Sequence, residues 1–306
     1  MTDPLPSWRD GAARQSIEAF VTAAATEGGP GFIAPAERIA VFDNDGTLWS
    51  EQPLYFQFLF ALDRVHALAP TQPDWTTRDP FKSLLAEGPA AVAKLGMEDL
   101  LAVMNATHSG MSTDAFGDIV RAWLSSARHP HTGKRFDTMI FAPMVELIRY
   151  LEGHGFRVFI VSGGGQEFLR AWVERTYGIL PERVIGSYAG LEYGAQDGQP
   201  VVMKTAQVGL VDDHAGKPVG IQRFIGRRPA FAFGNSDGDF EMLEWTTSAP
   251  GPRFAGLLHH TDGAREFAYD RNASIGKLDR ALDAAPARGW TVVDMARDWR
   301  VVYAPD

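Results

Sequence analysis

The sequence contains no cysteine in 306 residues. That absence removes disulfides, thiolate metal sites and a cysteine nucleophile. Positive charge is not in excess either: 29 Lys and Arg stand against 38 Asp and Glu, for a formal net charge of -9. No overall electrostatic footprint for duplex nucleic acid results. Long hydrophobic runs are also missing. The stretch Phe56 to Leu62 is among the longest, far short of the roughly 20 residues that cross a bilayer. The opening MTDPLPSWRD places an acid and two prolines where a signal peptide needs a positive start and an apolar run. The expectation is a cytoplasmic protein with neither a membrane nor a nucleic-acid partner.

The composition is that of a folded chain, at 45% hydrophobic and 22% charged. Length suggests one large domain or two, and a chain of this size buries about 75% of the surface its unfolded form exposes. The eight histidines include one HxH, His129 and His131, but no HExxH pattern, so zinc chemistry has little support. Trp123, Phe141, Phe231 and Phe233 sit in apolar patterns that point to core packing rather than base stacking.

Residues 12–26 read as a helix with Ile17, Phe20 and Val21 on one side. RIAVF, Arg38 to Phe42, reads as a strand that stops at the turn cluster DNDGT. Between residues 49 and 140 the pattern is helical, in Tyr55 to Leu68, Glu98 to Thr107 and Asp114 to Ala127. Strands and helices then alternate. Pro143 to Leu151 reads as a helix, Arg157 to Val161 as a strand and Gln166 to Tyr177 as a helix. Short strands follow at 183–186, 190–193 and 200–204, the last two joined through AQDGQ; a helix entered at Lys217–Pro218 and strands at 229–233 and 253–258 complete the series. The predicted fold is α/β, with a parallel Rossmann-like sheet whose ligands gather beyond the carboxyl ends of the strands. Residues 1–48 and 141–306 would form the core, and 49–140 an inserted helical cap able to close over the site.

Chemistry concentrates at those strand ends. Asp43 and Asp45 flank one residue at the end of the first strand, ahead of Gly46 and Thr47. Two close carboxylates repel unless a cation or a proton relieves them, so the pair asks for a metal or a shared acid/base task. Oxygen ligands suit magnesium better than zinc. Ser162, followed by three glycines after VFIV, offers a hydroxyl and amides to an anion. Asn235, Asp237 and Asp239 follow the apolar AFAF in another glycine-bearing turn.

The set resembles the haloacid dehalogenase superfamily, in particular its phosphoserine phosphatase-like branch. IAVFDNDGTL (Ile39 to Leu48) is similar to the first family motif, and GNSDGDFEML (Gly234 to Leu243) to the fourth. The resemblance implies a phosphatase that uses magnesium, with Asp43 as nucleophile and Asp45 as general acid/base. It also implies Lys217 as the stabilising lysine, preferred over Lys204, and phosphate contacts from Thr47, Ser162, Gly163 and Lys217. The implied metal ligands are Asp43, Asp45, Asn235 and Asp239, although many relatives have Asp where this chain has Asn235. The implied substrate is a small-molecule phosphate ester. The same phospho-aspartate chemistry would serve a phosphotransferase or phosphomutase, and a decayed site would leave a phosphate-ligand binding protein. Dehalogenases of the superfamily lack the second Asp, which argues against carbon–halogen hydrolysis. Glu51, Tyr55 and His260 are candidate specificity residues. Arg64, Lys82 and Lys94 could line the cap, and His259, Asp262 and Arg265 a polar rim.

Overall fold

The computed structural model describes residues 3–92 and 94–304, the side chain of Met97 excepted. Eight strands form a single sheet: β1 (Ile39–Phe42), β2 (Arg157–Gly165), β3 (Val184–Gln196), β4 (Gln199–Leu210), β5 (Phe231–Gly234), β6 (Phe254–Thr261), β7 (Ala268–Tyr269) and β8 (Thr291–Asp294). Their order is β4-β3-β2-β1-β5-β6-β7, with β8 also paired to β6. The ladder from β3 through β2, β1 and β5 to β6 and β8 is parallel, and only β4 and β7 run antiparallel to their neighbours. The structure is therefore the α/β architecture that the alternation of elements predicts, a largely parallel sheet with helices on both faces.

β1 lies in the middle, and all four of its residues are buried, as β-branched and aromatic side chains in a two-sided sheet should be. Successive residues alternate between layers. Ala40 and Phe42 join the larger core with Val158, Ile160, Phe231 and Phe233. Helices Ala12–Ala25 and Ala142–Gly153 cover that face through Ile17, Val21, Leu147 and Ile148. Ile39 and Val41 join the second core, where Ile221, Phe240 and Leu243 pack from helices Gly216–Phe224 and Phe240–Thr247.

The segment between β1 and β2 leaves and rejoins the sheet at one place. Trp49 pairs with Ile140, Ser50 N–H donates to the Met139 carbonyl, and Phe141 N–H donates to the Leu48 carbonyl. Between these points lie helices Phe56–Leu68, Phe81–Glu87, Met97–His108 and Thr113–Ser126.

The structure departs from the sequence expectation in three places. The separate strands expected at 183–186 and 190–193 are one 13-residue strand, β3, which passes through bulges between Tyr188 and Leu191. It turns back at Asp197 and Gly198, both with positive φ (52° and 76°), the pairing a two-residue hairpin favours. The outer hairpin packs on the inserted helices: Gly110 N–H donates to the Lys204 carbonyl and Lys204 N–H to the Met111 carbonyl. Second, the helix expected over 166–177 is two five-residue helices, Gln166–Arg170 and Val173–Tyr177. Trp172 at the break is buried against Trp49, with ring centroids 4.4 Å apart. Third, β7 and β8 were not anticipated, and with β6 they extend the sheet.

Candidate active site

The loop after β1 is pinned from several directions. Asp43 N–H donates to the Phe233 carbonyl on β5, and the Asn44 carbonyl accepts from Thr47 and Leu48. Gly46 takes a positive φ of 73°, and a Cβ there would collide with Asn235 Nδ2 and Glu51 Oε1, so both the turn and the close approach require glycine. His260 on β6 places its Nε2 2.7 Å from the Gly46 carbonyl oxygen and its Nδ1 3.1 Å from Glu266 Oε2.

Lys217 sits 2.6 Å from Asp43 Oδ1 and 2.5 Å from Asp239 Oδ1, and it donates to the Val161 carbonyl at 3.1 Å. All three side chains are buried. Burial pushes the Asp43 carboxyl well up and Asp239 adds to this, while Lys217 pulls it back. Burial disfavours the Lys217 ammonium, but Asp239 and Asp43 more than reverse this and hold it protonated. Asp45 is also raised by burial, against the opposing hydrogen bond from Trp49. Trp49 Nε1 donates to Asp45 Oδ1 at 2.8 Å, and Ser162 Oγ to Asp45 Oδ2 at 3.4 Å.

The oxygens that converge are hard donors. Thr47 Oγ1 lies 3.2 Å from Asp43 Oδ2 and 3.1 Å from Asn235 Oδ1, so both oxygens border the same hydroxyl. Asn235 Nδ2 donates to Glu51 Oε1 at 2.8 Å, and Tyr269 OH donates to the same oxygen at 2.8 Å. The amide is thereby oriented with its oxygen toward the Thr47 hydroxyl, which also reaches Asp43. Burial raises the Glu51 carboxyl well above its usual range. Among the described residues, no group of three or more His, Asp or Glu side chains is placed to hold a metal ion. Magnesium, however, needs few protein ligands, because it keeps several waters and uses one or two carboxylates with substrate oxygens. The Asp43 and Asn235 oxygens fit that requirement. Asp239 is otherwise engaged: Oδ1 accepts from Lys217, and Oδ2 from the Asn235 and Ser236 amides and the Ser236 hydroxyl.

A cavity of about 310 Å³ opens over this floor. Asp43, Asp45, Glu51, Tyr55, Gly163 and Lys217 line it, whereas Thr47, Ser162, Asn235, Asp239 and His260 lie outside its lining. Ser162 is fully buried and accepts from Gly164 N–H at 3.0 Å, while Gly165 N–H donates to Gln57 Oε1 at 2.7 Å. Two of the three glycine amides are thus already used. Lys204 lines the cavity away from Asp43, 3.4 Å from Glu167 Oε2. Arg64, Lys82, Lys94, His259, Asp262 and Arg265 do not line it. Lys94 pairs with Glu87 and Arg265 with Asp262.

Trp49, Gln57 and Tyr269, together with Asp213, which also lines the cavity, fall outside the sequence expectation. Trp49 has a signal, since it directly follows the motif and stands four residues after Asp45. Tyr269 reaches Glu51 across 218 residues of sequence and has none.

No curated protein matches the sequence. In overall fold the chain is similar to a protein of unknown function from Bordetella pertussis Tohama I, at 19% identity and a TM-score of 0.50 over 85% of this chain and 99% of that one. A conserved, functionally unknown protein from Anaerococcus prevotii DSM 20548 is similar at 15% identity and a TM-score of 0.51, over 86% and 89% of the two chains. A probable phosphoserine phosphatase from Vibrio cholerae overlaps less, at 15% identity and a TM-score of 0.40 over 82% and 65%. The family model for haloacid dehalogenase-like hydrolases matches residues 40–244, which takes in Asp43, Asp45, Ser162, Lys217, Asn235 and Asp239. With two thirds of its length matched, the chain belongs to the haloacid dehalogenase-like hydrolases.

Proposed function

We propose that the protein is a magnesium-dependent phosphatase that hydrolyses a small-molecule phosphomonoester through an aspartyl-phosphate intermediate. The observation that carries this reading is the floor of the cavity, where the buried Asp43 and the half-buried Asp45 stand beside a lysine 2.6 Å from the first. Residues 49–140 would be the cap, joined by the outer part of the β3–β4 hairpin.

In the first half-reaction an Asp43 oxygen attacks phosphorus and the bond to the leaving oxygen breaks. Asp45 gives its proton to the departing alkoxide. The raised Asp45 carboxyl suits this role, because it keeps a proton where an exposed aspartate would have lost it. In the second half Asp45 takes a proton from water, whose oxygen attacks the phosphorus of the acylphosphate. Asp43 and inorganic phosphate are released. Lys217, tied to both Asp43 and Asp239, offsets the charge carried between phosphate and Asp43. Asp239 positions Lys217. A magnesium ion held by Asp43 and Asn235 supplies Lewis-acid stabilisation of the phosphoryl oxygens when bound. Glu51 orients the Asn235 amide by accepting its Nδ2 hydrogen bond.

The test is a metal-controlled assay of phosphate release with the natural chain and Asp43→Asn. The substitution should lower turnover by about a thousandfold or more while leaving the fold intact. Normal turnover by Asp43→Asn would end the covalent reading.

A further inference from the structure

The cavity continues above the carboxylates into a roof to which the hydrolytic chemistry assigns no part. The roof is formed by helices Phe56–Leu68, Met97–His108, Thr113–Ser126 and Gln166–Arg170 and by the β3–β4 hairpin. Its walls are carbon: Phe58, Leu101, Met104, Phe116, Phe168 and Leu210 face the space.

Most of the roof's polar side chains already have partners. Gln57 accepts from Gly165 N–H at 2.7 Å, and its Nε2 lies 3.3 Å from His108 Nε2. His108 Nδ1 is 2.6 Å from Thr107 Oγ1. Ser109 Oγ donates to the Thr205 carbonyl at 3.0 Å. Lys204 Nζ is 3.4 Å from Glu167 Oε2 and 4.5 Å from the centre of the Phe116 ring, so its charge is met by a carboxylate and an aromatic face. The pair has no net charge. His108 is neutral near pH 7, because burial, with Lys204 adding to it, lowers its pKa to about 3. The Asn105 amide and the Tyr55 and Tyr188 hydroxyls also line the cavity, and these side-chain groups make no hydrogen bond among the described residues.

Such a wall discriminates by solvation. A polyol entering it exchanges water for groups that already have partners, and each buried hydroxyl left unpaired is costly. An apolar leaving group loses nothing comparable and gains with every methylene it buries. A terminal anion would meet Glu167 as well as Lys204. Resting on the phosphatase reading above, we propose that the substrate class is the phosphomonoesters of bulky, predominantly apolar alcohols, aryl or medium-length alkyl, with few polar substituents, which would face Tyr55, Asn105 or Tyr188. Sugar and polyol phosphates are disfavoured.

The experiment compares kcat/KM of the full chain, with magnesium, for ethyl, butyl, hexyl and phenyl phosphate against glycerol phosphate and a hexose phosphate. Roughly fourfold improvement per methylene is expected along the alkyl series, with phenyl phosphate about a hundredfold or more above either polyol ester. Equal or better turnover of the polyol esters would overturn the proposal. So would a tenfold preference for an ω-carboxyalkyl phosphate over its alkyl counterpart, which would make Lys204 an anion receptor. Calorimetric binding of the same esters to Asp43→Asn, again with magnesium, reads the roof apart from the chemistry. An apolar-over-polyol order in binding supports the proposal even if no ester is turned over and the phosphatase reading fails. The reverse order, or no discrimination, sinks the substrate class whatever the turnover.

Discussion

Asp212 links β4 to the helix that carries Lys217, and its burial should make stability depend on pH. The residue is fully buried, and neither carboxylate oxygen has a hydrogen-bond partner among the described residues. Burial, with Asp213 adding and Lys217 opposing, raises it from 3.8 to about 7. The folded protein therefore keeps a proton that the unfolded chain releases near pH 4. Stability from this group is fully present below about pH 4 and lost as pH rises to about 7. Three pH units at about 1.36 kcal/mol each amount to about 4 kcal/mol at most. Asp212→Asn has nearly the same shape and no titration. The variant should match the natural chain near pH 4.5 and exceed it by a few kcal/mol at pH 8. Urea unfolding midpoints at both pH values and fixed ionic strength measure this. Parallel stability curves for the two proteins would refute the reasoning. Turnover should survive, since Asp212 does not line the cavity.

Trp49→Phe removes the indole donor to Asp45 Oδ1 while keeping an aromatic ring against Trp172. A donor to the charged form lowers a carboxyl pKa. Its loss raises Asp45 further, so the alkaline limb of the kcat profile, set by loss of the Asp45 proton, should move to higher pH. An unmoved limb would separate Asp45 from the proton transfer. Asn235→Asp sets a second carboxylate against Glu51, 2.8 Å from the present amide nitrogen. Without magnesium the variant should melt several degrees lower than the natural chain. It should bind magnesium about tenfold more tightly in a calorimetric titration, and unchanged affinity would remove Asn235 from the cation site.

The sequence made the strand-end chemistry legible because the strands carrying it are short, apolar runs cut off by turn residues. IAVF and FAFG are buried throughout, and the acids after them can only stand at the sheet's edge. Lys217 was legible by its place before the fourth motif. The hairpin was read as fragments because Gly190 and Gly194 interrupt its β-formers, while pairing with β4 holds the chain extended through the bulges. The break at Trp172 is a tertiary effect, since the indole is needed against Trp49. The roof was invisible for the same reason. Leu101 and Met104 look like any helix core, and only the fold shows that they face empty space over Asp43.

The buttress of His260 and Tyr269 changes what counts as the smallest working piece. The matched family region ends at residue 244, before β6, β7 and β8. A fragment trimmed there would carry every motif residue yet lose the imidazole beneath Gly46, the phenol that steadies Glu51, and β6, the strand that covers the open edge of β5. For this chain, the conventional catalytic signature and the apparatus that holds it in working shape are inherited in different stretches of sequence.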